Sequence, residues 1–322
     1  MVDTILGSSP LVNVPDYSNH FKEVLDYSVI KDKRFRAPLV IDSYKILEKP
    51  ENLTKENLHL VNVLGWCVEL MIAYMNQSDD IMDESRMRCN EICWYLKKGV
   101  GLSGFNDSMF LYESTFILLK HYFHHTPLYL PLQNIFHEMN NRFVIGQMMD
   151  TKLKQNRLFN DFNSNNFTNM GQNKGGFPLI QVPFRIACAL SNNDQEFYKV
   201  KDIIERMGQL LQIDNDILDV FQNGKIETDV TENIRQGQCT WLAVEVLENG
   251  SDELKKIFKE NYGRTGYEYE QKVIDIYLKM NLFDKYLRFK EDILEYMQKR
   301  FKEIPQKSMQ NAITKLFENV FL

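Results

Sequence analysis

The spacing of apolar residues along this chain is helical almost throughout. Recurrence at i, i+3, i+4 and i+7 predicts helices over 17–30, 38–48, 54–76 (running on into the segment that follows), 107–125, 129–153, 163–192, 195–222, 239–248, 251–261, 264–280, 283–302 and 305–320. No stretch alternates apolar and polar residues over the length of a strand. Glycine and proline are sparse and fall mostly between these segments, and the Asn-rich patch at 160–166 reads as a loop. With no internal repeat and no linker, the pattern predicts one all-α domain over 1–322, a large helical bundle around a central apolar cavity.

Two acidic clusters stand inside apolar helical runs. The first is Asp79-Asp80-Ile81-Met82-Asp83, and the second, Asn215-Asp216-Ile217-Leu218-Asp219, has the same spacing with an amide in the leading position. Residues i and i+4 share a helix face, so Asp79 with Asp83, and Asn215 with Asp219, each form a pair of oxygen donors. Acidic pairs of this spacing usually mark solvated faces, but here apolar residues fill the gaps both times. Like charges in a partly buried place repel unless a cation neutralises them. Mg²⁺ suits such clamps, because it takes a few protein oxygens and completes its shell with water and substrate phosphates. The expected metal ligands are Asp79, Asp83, Asn215 and Asp219, with Asp80 and Asp216 in support; Mn²⁺ accepts the same oxygens.

Composition narrows the classes further. A chain of 322 residues with 44% hydrophobic content has material for a large core. The net charge of −6 leaves no electrostatic footprint for nucleic acid. Five scattered cysteines without a CxxC pair fit a reducing compartment. The opening residues Met1 to Gly7 resemble neither a signal peptide nor an Arg-rich transit peptide, so a cytoplasmic protein is expected. Glu69 interrupts the most apolar stretch, and no membrane span is expected.

The sequence around both clusters resembles one family. Gly65-Trp66-Cys67-Val68-Glu69-Leu70, the first cluster and Ile92-Cys93-Trp94-Tyr95 are similar to the first aspartate-rich region of farnesyl diphosphate synthases. Gln212-Ile213, the second cluster, Gly224-Lys225-Ile226-Glu227-Thr228-Asp229 and Cys239-Thr240-Trp241-Leu242 resemble the second region. The likeness runs over nearly the whole chain. It implies the all-α isoprenoid synthase fold, a homodimer, a prenyl diphosphate substrate and three Mg²⁺ between the clusters. It also implies that Arg88, Lys174 and Lys225 hold the allylic diphosphate, with Gln212 beside the second cluster. Such charge-assisted contacts orient a leaving group and neutralise the charge it acquires.

The family's second site, for isopentenyl diphosphate, departs from the pattern. A paired arginine reads Arg88-Cys89, a glutamine position is Ile72, and a lysine position before Cys239 is Gln238. The Gly-Lys-x-x-Arg motif survives as Lys33 and Arg36 with Asp32 beside them. Class I terpene synthases place Asn, Ser and Glu at i, i+4 and i+8, where this chain has Asn215, Asp219 and Asn223. The expectation is therefore a Mg²⁺-dependent terpene synthase that ionises farnesyl diphosphate to a sesquiterpene, with geranyl diphosphate the next substrate. It would resemble insect terpene synthases descended from farnesyl diphosphate synthases. Two alternatives stand beside it: a chain-elongating prenyltransferase, and a catalytically weak paralogue acting as a regulatory subunit.

Several residues modify the expected cavity. Tyr74 precedes the first cluster by five positions, where an aromatic would floor the pocket and favour ten- or fifteen-carbon substrates. Asn76, Gln77 and Ser78 are more polar than their setting and either orient a cation or face a neighbouring helix. Pro178 and Pro183 interrupt the helix predicted over 163–192. The kink at Lys174-Gly175-Gly176-Phe177 would present a carbonyl and the Phe177 ring to a carbocation, which makes Lys174 and Phe177 the catalytic candidates. Arg185 has no role in this reading.

Overall fold

The computed structural model describes residues 1–8, 15–30, 35–156, 158–222, 225–226 and 232–322. Its helices are α1 (Val2–Ser8), α2 (Pro15–Leu25), α3 (Arg36–Leu47), α4 (Lys55–Met82), α5 (Gly104–Phe123), α6 (Tyr129–Asn156), α7 (Ser164–Gly171) and α8 (Val182–Leu190). They continue as α9 (Asp194–Leu218), α10 (Glu232–Gln236), α11 (Trp241–Asn249), α12 (Asp252–Asn261), α13 (Tyr267–Lys279), α14 (Leu282–Glu303) and α15 (Lys307–Phe321). Two antiparallel ribbons complete the chain: β1 (Met87–Arg88) with β2 (Glu91–Ile92), and β3 (Phe221–Gln222) with β4 (Lys225–Ile226). The all-α expectation holds.

The chain divides into two compact units. The first comprises Met1–Phe143, Pro178–Lys201 and Ile304–Leu322; the second comprises Val144–Phe177 and Asp202–Glu303. In the first unit α4 packs along α5 and against α3, and α3 also meets α8 and α15. Helix α4 starts where the Thr54 hydroxyl accepts the Asn57 N–H at 3.2 Å. Gly65 lets α3 approach, since a Cβ there would lie 3.0 Å from the Ala37 methyl.

Glu69 is only 3% exposed in the middle of α4. Its carboxylate accepts the backbone N–H of Arg36 at 3.0 Å and of Ala37 at 2.8 Å, and faces the Arg36 guanidinium at 3.4 Å. A charge in the core is thus neutralised by the N-terminus of α3 and by a cation. By length and composition α4 is apolar enough to cross a membrane, but 72% of its most apolar stretch is buried inside the protein, as in a core helix.

The second unit has its own core, built from Phe167, Ile213, Phe221, Trp241, Phe258, Tyr262 and Tyr277 among others. Helix α11 meets α7, α12 and α13, and α13 meets α14.

Departures from the periodicity have local causes. The helix predicted over 163–192 is three pieces: α7, a π-helical stretch from Gln172 to Gln181, and α8. Pro178 sits inside the π-helical stretch, whose wider turns tolerate a residue with no N–H. The loop expected at 160–166 ends early, because Asn163 caps α7 by accepting the Asn166 N–H at 2.9 Å. Helix α9 stops at Leu218 rather than 222, and Phe221 enters the core from a strand, 2% exposed. The two ribbons were not predicted because two-residue strands are too short to show a period. Helices α1 and α10, of seven and five residues, escaped for the same reason.

Candidate active site

The first cluster occupies the last turn of α4. Asp83 is the C-cap residue, and its N–H donates to the Asp79 carbonyl at 2.8 Å. Asp80 and Asp83 are 4% and 7% exposed, and Asp79 is half-buried. Three carboxylates at a helix C-terminus oppose the helix dipole, so the arrangement calls for cations. Ribbon β1 supplies one. Arg88 Nε donates to Asp80 Oδ1 at 2.9 Å and Oδ2 at 3.1 Å, and its Nη2 reaches Asp79 Oδ2 at 3.1 Å. Burial pushes the Asp80 carboxyl above the usual carboxylate range and Arg88 only partly offsets this. Burial works against the charge on Arg88, but Asp80 and Asp79 hold it protonated.

Asp79 and Asp83 bring carboxylate oxygens within 4.8 Å of one another. One oxygen of each, Oδ1, is buried and accepts no hydrogen bond from the described residues. Carboxylate oxygens so placed fit a hard cation such as Mg²⁺, which takes oxygen ligands.

The second cluster lies at the end of α9, in the other unit. Asp216 is 4% exposed and accepts the Trp241 N–H at 2.8 Å and the Gln212 amide at 3.0 Å. Its carboxyl is pushed up to about 7, first by burial and then by Asp219 and Asp150. Asp219 is also raised to about 7, first by burial and then by Glu232, although it accepts the Asn233 N–H at 3.2 Å. Asn215, which precedes them, is exposed.

Lys174 stands in the π-helical stretch, and its ammonium pairs with Asp150 of α6 at 2.5 Å. The backbones there are close: a Cβ on Gly146 would fall 2.5 Å from the Lys174 nitrogen. Asp150, 2% exposed, is a buried acid that the sequence reading missed, since it belongs to neither cluster. Its one signal was an acid closing the locally apolar run from Phe143 to Met149. Phe177 is 2% exposed in the same π-helical stretch.

Some anticipated residues lie elsewhere or beyond view. Lys33, Asn223, Gly224 and 227–229 fall outside the described residues, and of Lys225 only its backbone in β4 is described. Ile72 is 2% exposed, and Cys89 is exposed in the turn between β1 and β2 with φ +51°. The Gln238 side chain donates to Gln236 at 2.7 Å. Tyr74 is buried, its ring edged by Tyr112 and Phe143. Gln77 and Ser78 turn to neighbouring segments, Gln77 to the Ser28 hydroxyl and Ser78 to that of Ser108. Arg185 finds a place by pairing with Glu138, which also accepts from Arg142 at 3.0 Å.

Residues 18–280 match the polyprenyl synthetase family. The chain is 34% identical to farnesyl pyrophosphate synthase 1 of Cannabis sativa, covering 97% of this chain and 92% of that protein. It is 32% identical to a chloroplastic monoterpene synthase of Artemisia spiciformis, covering 97% of this chain and 80% of that one. The fold is shared with a Trypanosoma brucei farnesyl diphosphate synthase complexed with a bisphosphonate, at TM-score 0.88 and 22% identity over 95% of this chain and 91% of that one. A match over both acidic clusters, with relatives of this identity along almost the whole chain, means that this protein belongs to the polyprenyl synthetase family.

Proposed function

We propose that this protein ionises a prenyl diphosphate, releasing diphosphate, and joins the allylic cation to isopentenyl diphosphate with loss of one proton, as a chain-elongating prenyltransferase. The observation that carries the reading is the 34% identity with a farnesyl pyrophosphate synthase over 97% of the chain. That likeness puts the transferase ahead of the sesquiterpene lyase expected from the sequence. The match over 18–280 runs through both units, which supports one catalytic domain over 1–322.

In this reading Asp79, Asp80 and Asp83 hold Mg²⁺ at one cluster, and Asn215, Asp216 and Asp219 at the other, with three ions in all and Mn²⁺ as a substitute. Bound Mg²⁺ supplies Lewis acidity and neutralises the departing diphosphate. The protein's own cations bind and orient that group. Arg88 would exchange Asp79 and Asp80 for phosphate oxygens, and Lys174 would likewise leave Asp150; Gln212 and Lys225 would contribute a polar and a charged contact to the same group. Phe177 would steady the allylic cation with its ring face.

A second reading, the terpene synthase, is favoured by the remodelled isopentenyl site: Ile72 is apolar and buried, Cys89 replaces an arginine, and Arg36 is bound to Glu69. In that case an internal double bond, proton loss or water quenches the cation. The test is incubation of the protein and Mg²⁺ with geranyl or farnesyl diphosphate, with and without labelled isopentenyl diphosphate. Labelled longer diphosphates support the transferase; an unlabelled volatile hydrocarbon or alcohol supports the lyase and refutes it. Under the lyase reading, Ile72→Gln with Cys89→Arg should raise label incorporation at least about tenfold, since each restores a charge-assisted or polar contact to diphosphate.

A homodimer belongs to this reading, and light scattering on the purified protein tests for it. The absence of a disulfide among the five cysteines supports a reducing, cytoplasmic setting.

A further inference from the structure

The second cluster is flanked by an acid that none of the roles above uses. Asp214 accepts the Tyr286 hydroxyl at 2.8 Å and the Lys290 ammonium at 3.0 Å, and Lys290 also donates to the Tyr286 oxygen at 3.1 Å. Tyr286 is 7% exposed, and both partners come from the first turns of α14. The ring of Phe283, one turn earlier, lies 5.4 Å from that of Phe221, just beyond the cluster. Helix α14 therefore grips α9 before the cluster and the chain after it.

Helical geometry shows what this grip controls. Each residue advances about 100° around the axis, so Asn215 and Asp219 lie within about 40° of one another. Asp214 falls about 100° to one side of Asn215, and Asp216 about 100° to the other. Both flanking carboxylates are anchored, Asp216 on the Trp241 N–H of α11 and Asp214 on Tyr286 and Lys290 of α14. The face between them carries the donor pair. Rotation of the last turn of α9, or its fraying at Leu218, would move Asn215 and Asp219 together. Lys290 also sets a cation at a helix C-terminus loaded with carboxylates, where the dipole alone is unfavourable.

We infer that Asp214, Tyr286 and Lys290 form a positioning clamp that fixes the rotation of α9 and thereby the affinity of the second cluster for its cation. The inference rests on the proposed metal role of Asn215 and Asp219. Anchors of this kind, one step removed from the ligands, are worth about tenfold or more in metal affinity.

The test is Mn²⁺ binding with inorganic diphosphate, followed by electron paramagnetic resonance, for the wild type, Asp214→Asn, Tyr286→Phe, Lys290→Arg and Asn215→Ala. Asp214→Asn and Tyr286→Phe should weaken about tenfold the same subset of ions that Asn215→Ala removes, leaving the remainder at wild-type affinity. Lys290→Arg keeps the cation and should retain binding. Thermal unfolding separates a lost clamp from a lost fold, because a general structural defect weakens every ion alike. Uniform weakening, or wild-type binding in Asp214→Asn and Tyr286→Phe, overturns the clamp. If the wild type binds no Mn²⁺, or Asn215→Ala loses none, the metal reading itself falls and the clamp with it.

Discussion

Replacing Asp216 by Asn should make the metal-free protein more stable at pH 8, although it changes a residue at the heart of the site. The carboxyl is 4% exposed and pushed up to about 7, first by burial and then by Asp219 and Asp150. A carboxyl whose folded value lies above its unfolded value favours folding while protonated, and that advantage is lost as pH rises through the folded value. Between an unfolded 3.8 and a folded value of about 7, the loss amounts to about 4 kcal/mol. In a chain of 322 residues, that corresponds to about 6 °C in Tm. Asn preserves the geometry: its oxygen still accepts the Trp241 N–H, and the Gln212 amide can turn its oxygen to the new NH₂ group. Circular dichroism melts in chelator, from pH 4 to pH 8.5, should show the wild type losing Tm as pH rises and Asp216→Asn losing less. At pH 8 the variant should melt about 6 °C higher, at pH 5 about 2 °C higher, and the two should converge only as pH falls to the unfolded value of 3.8. Parallel curves across the range would refute the reasoning.

At Glu138 the sign is opposite. Burial raises its carboxyl, but Arg185 and Arg142 outweigh that and hold it below the usual range, so its contribution is present at neutral pH and fades as pH falls below the ordinary carboxylate value. Glu138→Gln should cost about 1 kcal/mol at pH 7, a modest figure because water and salt screen a half-exposed site, with the gap closing towards pH 3 in urea titrations. Gly208→Ala adds a methyl 2.7 Å from the Gly176 Cα. Alanine would otherwise stabilise an α-helix by about 1 kcal/mol, so a fall in Tm measures the clash between α9 and the π-helical stretch, and a rise would show that the backbones can part.

How much of this was legible varied with the length over which a signal repeats. Helix α4 could be read from Thr54 into the cluster because a cap, an unbroken apolar run and the acidic spacing all agree. The end of α9 could not, since Leu218 and Phe221 are both apolar, and only the pull of Phe221 into the core decides where the helix stops. Pro178 read as a break because an i→i+4 helix cannot hold it, yet the wider turn can. Both clusters stood out by spacing. Asp150 did not, because its pairing with Lys174 joins residues 24 apart in sequence, and nothing local records it. Asp214, Tyr286 and Lys290 were hidden in the same way.

Glu69 has a consequence for the birth of the chain. While α4 leaves the ribosome none of its partners on α5 exists yet, and a 28-residue apolar helix presents itself to the machinery that sorts nascent segments into membranes. A carboxylate near the middle of such a helix is costly in lipid, and only after folding do Arg36 and Ala37 neutralise it. The acid that anchors α3 in the finished protein thus also raises, during synthesis, the cost of placing α4 in lipid.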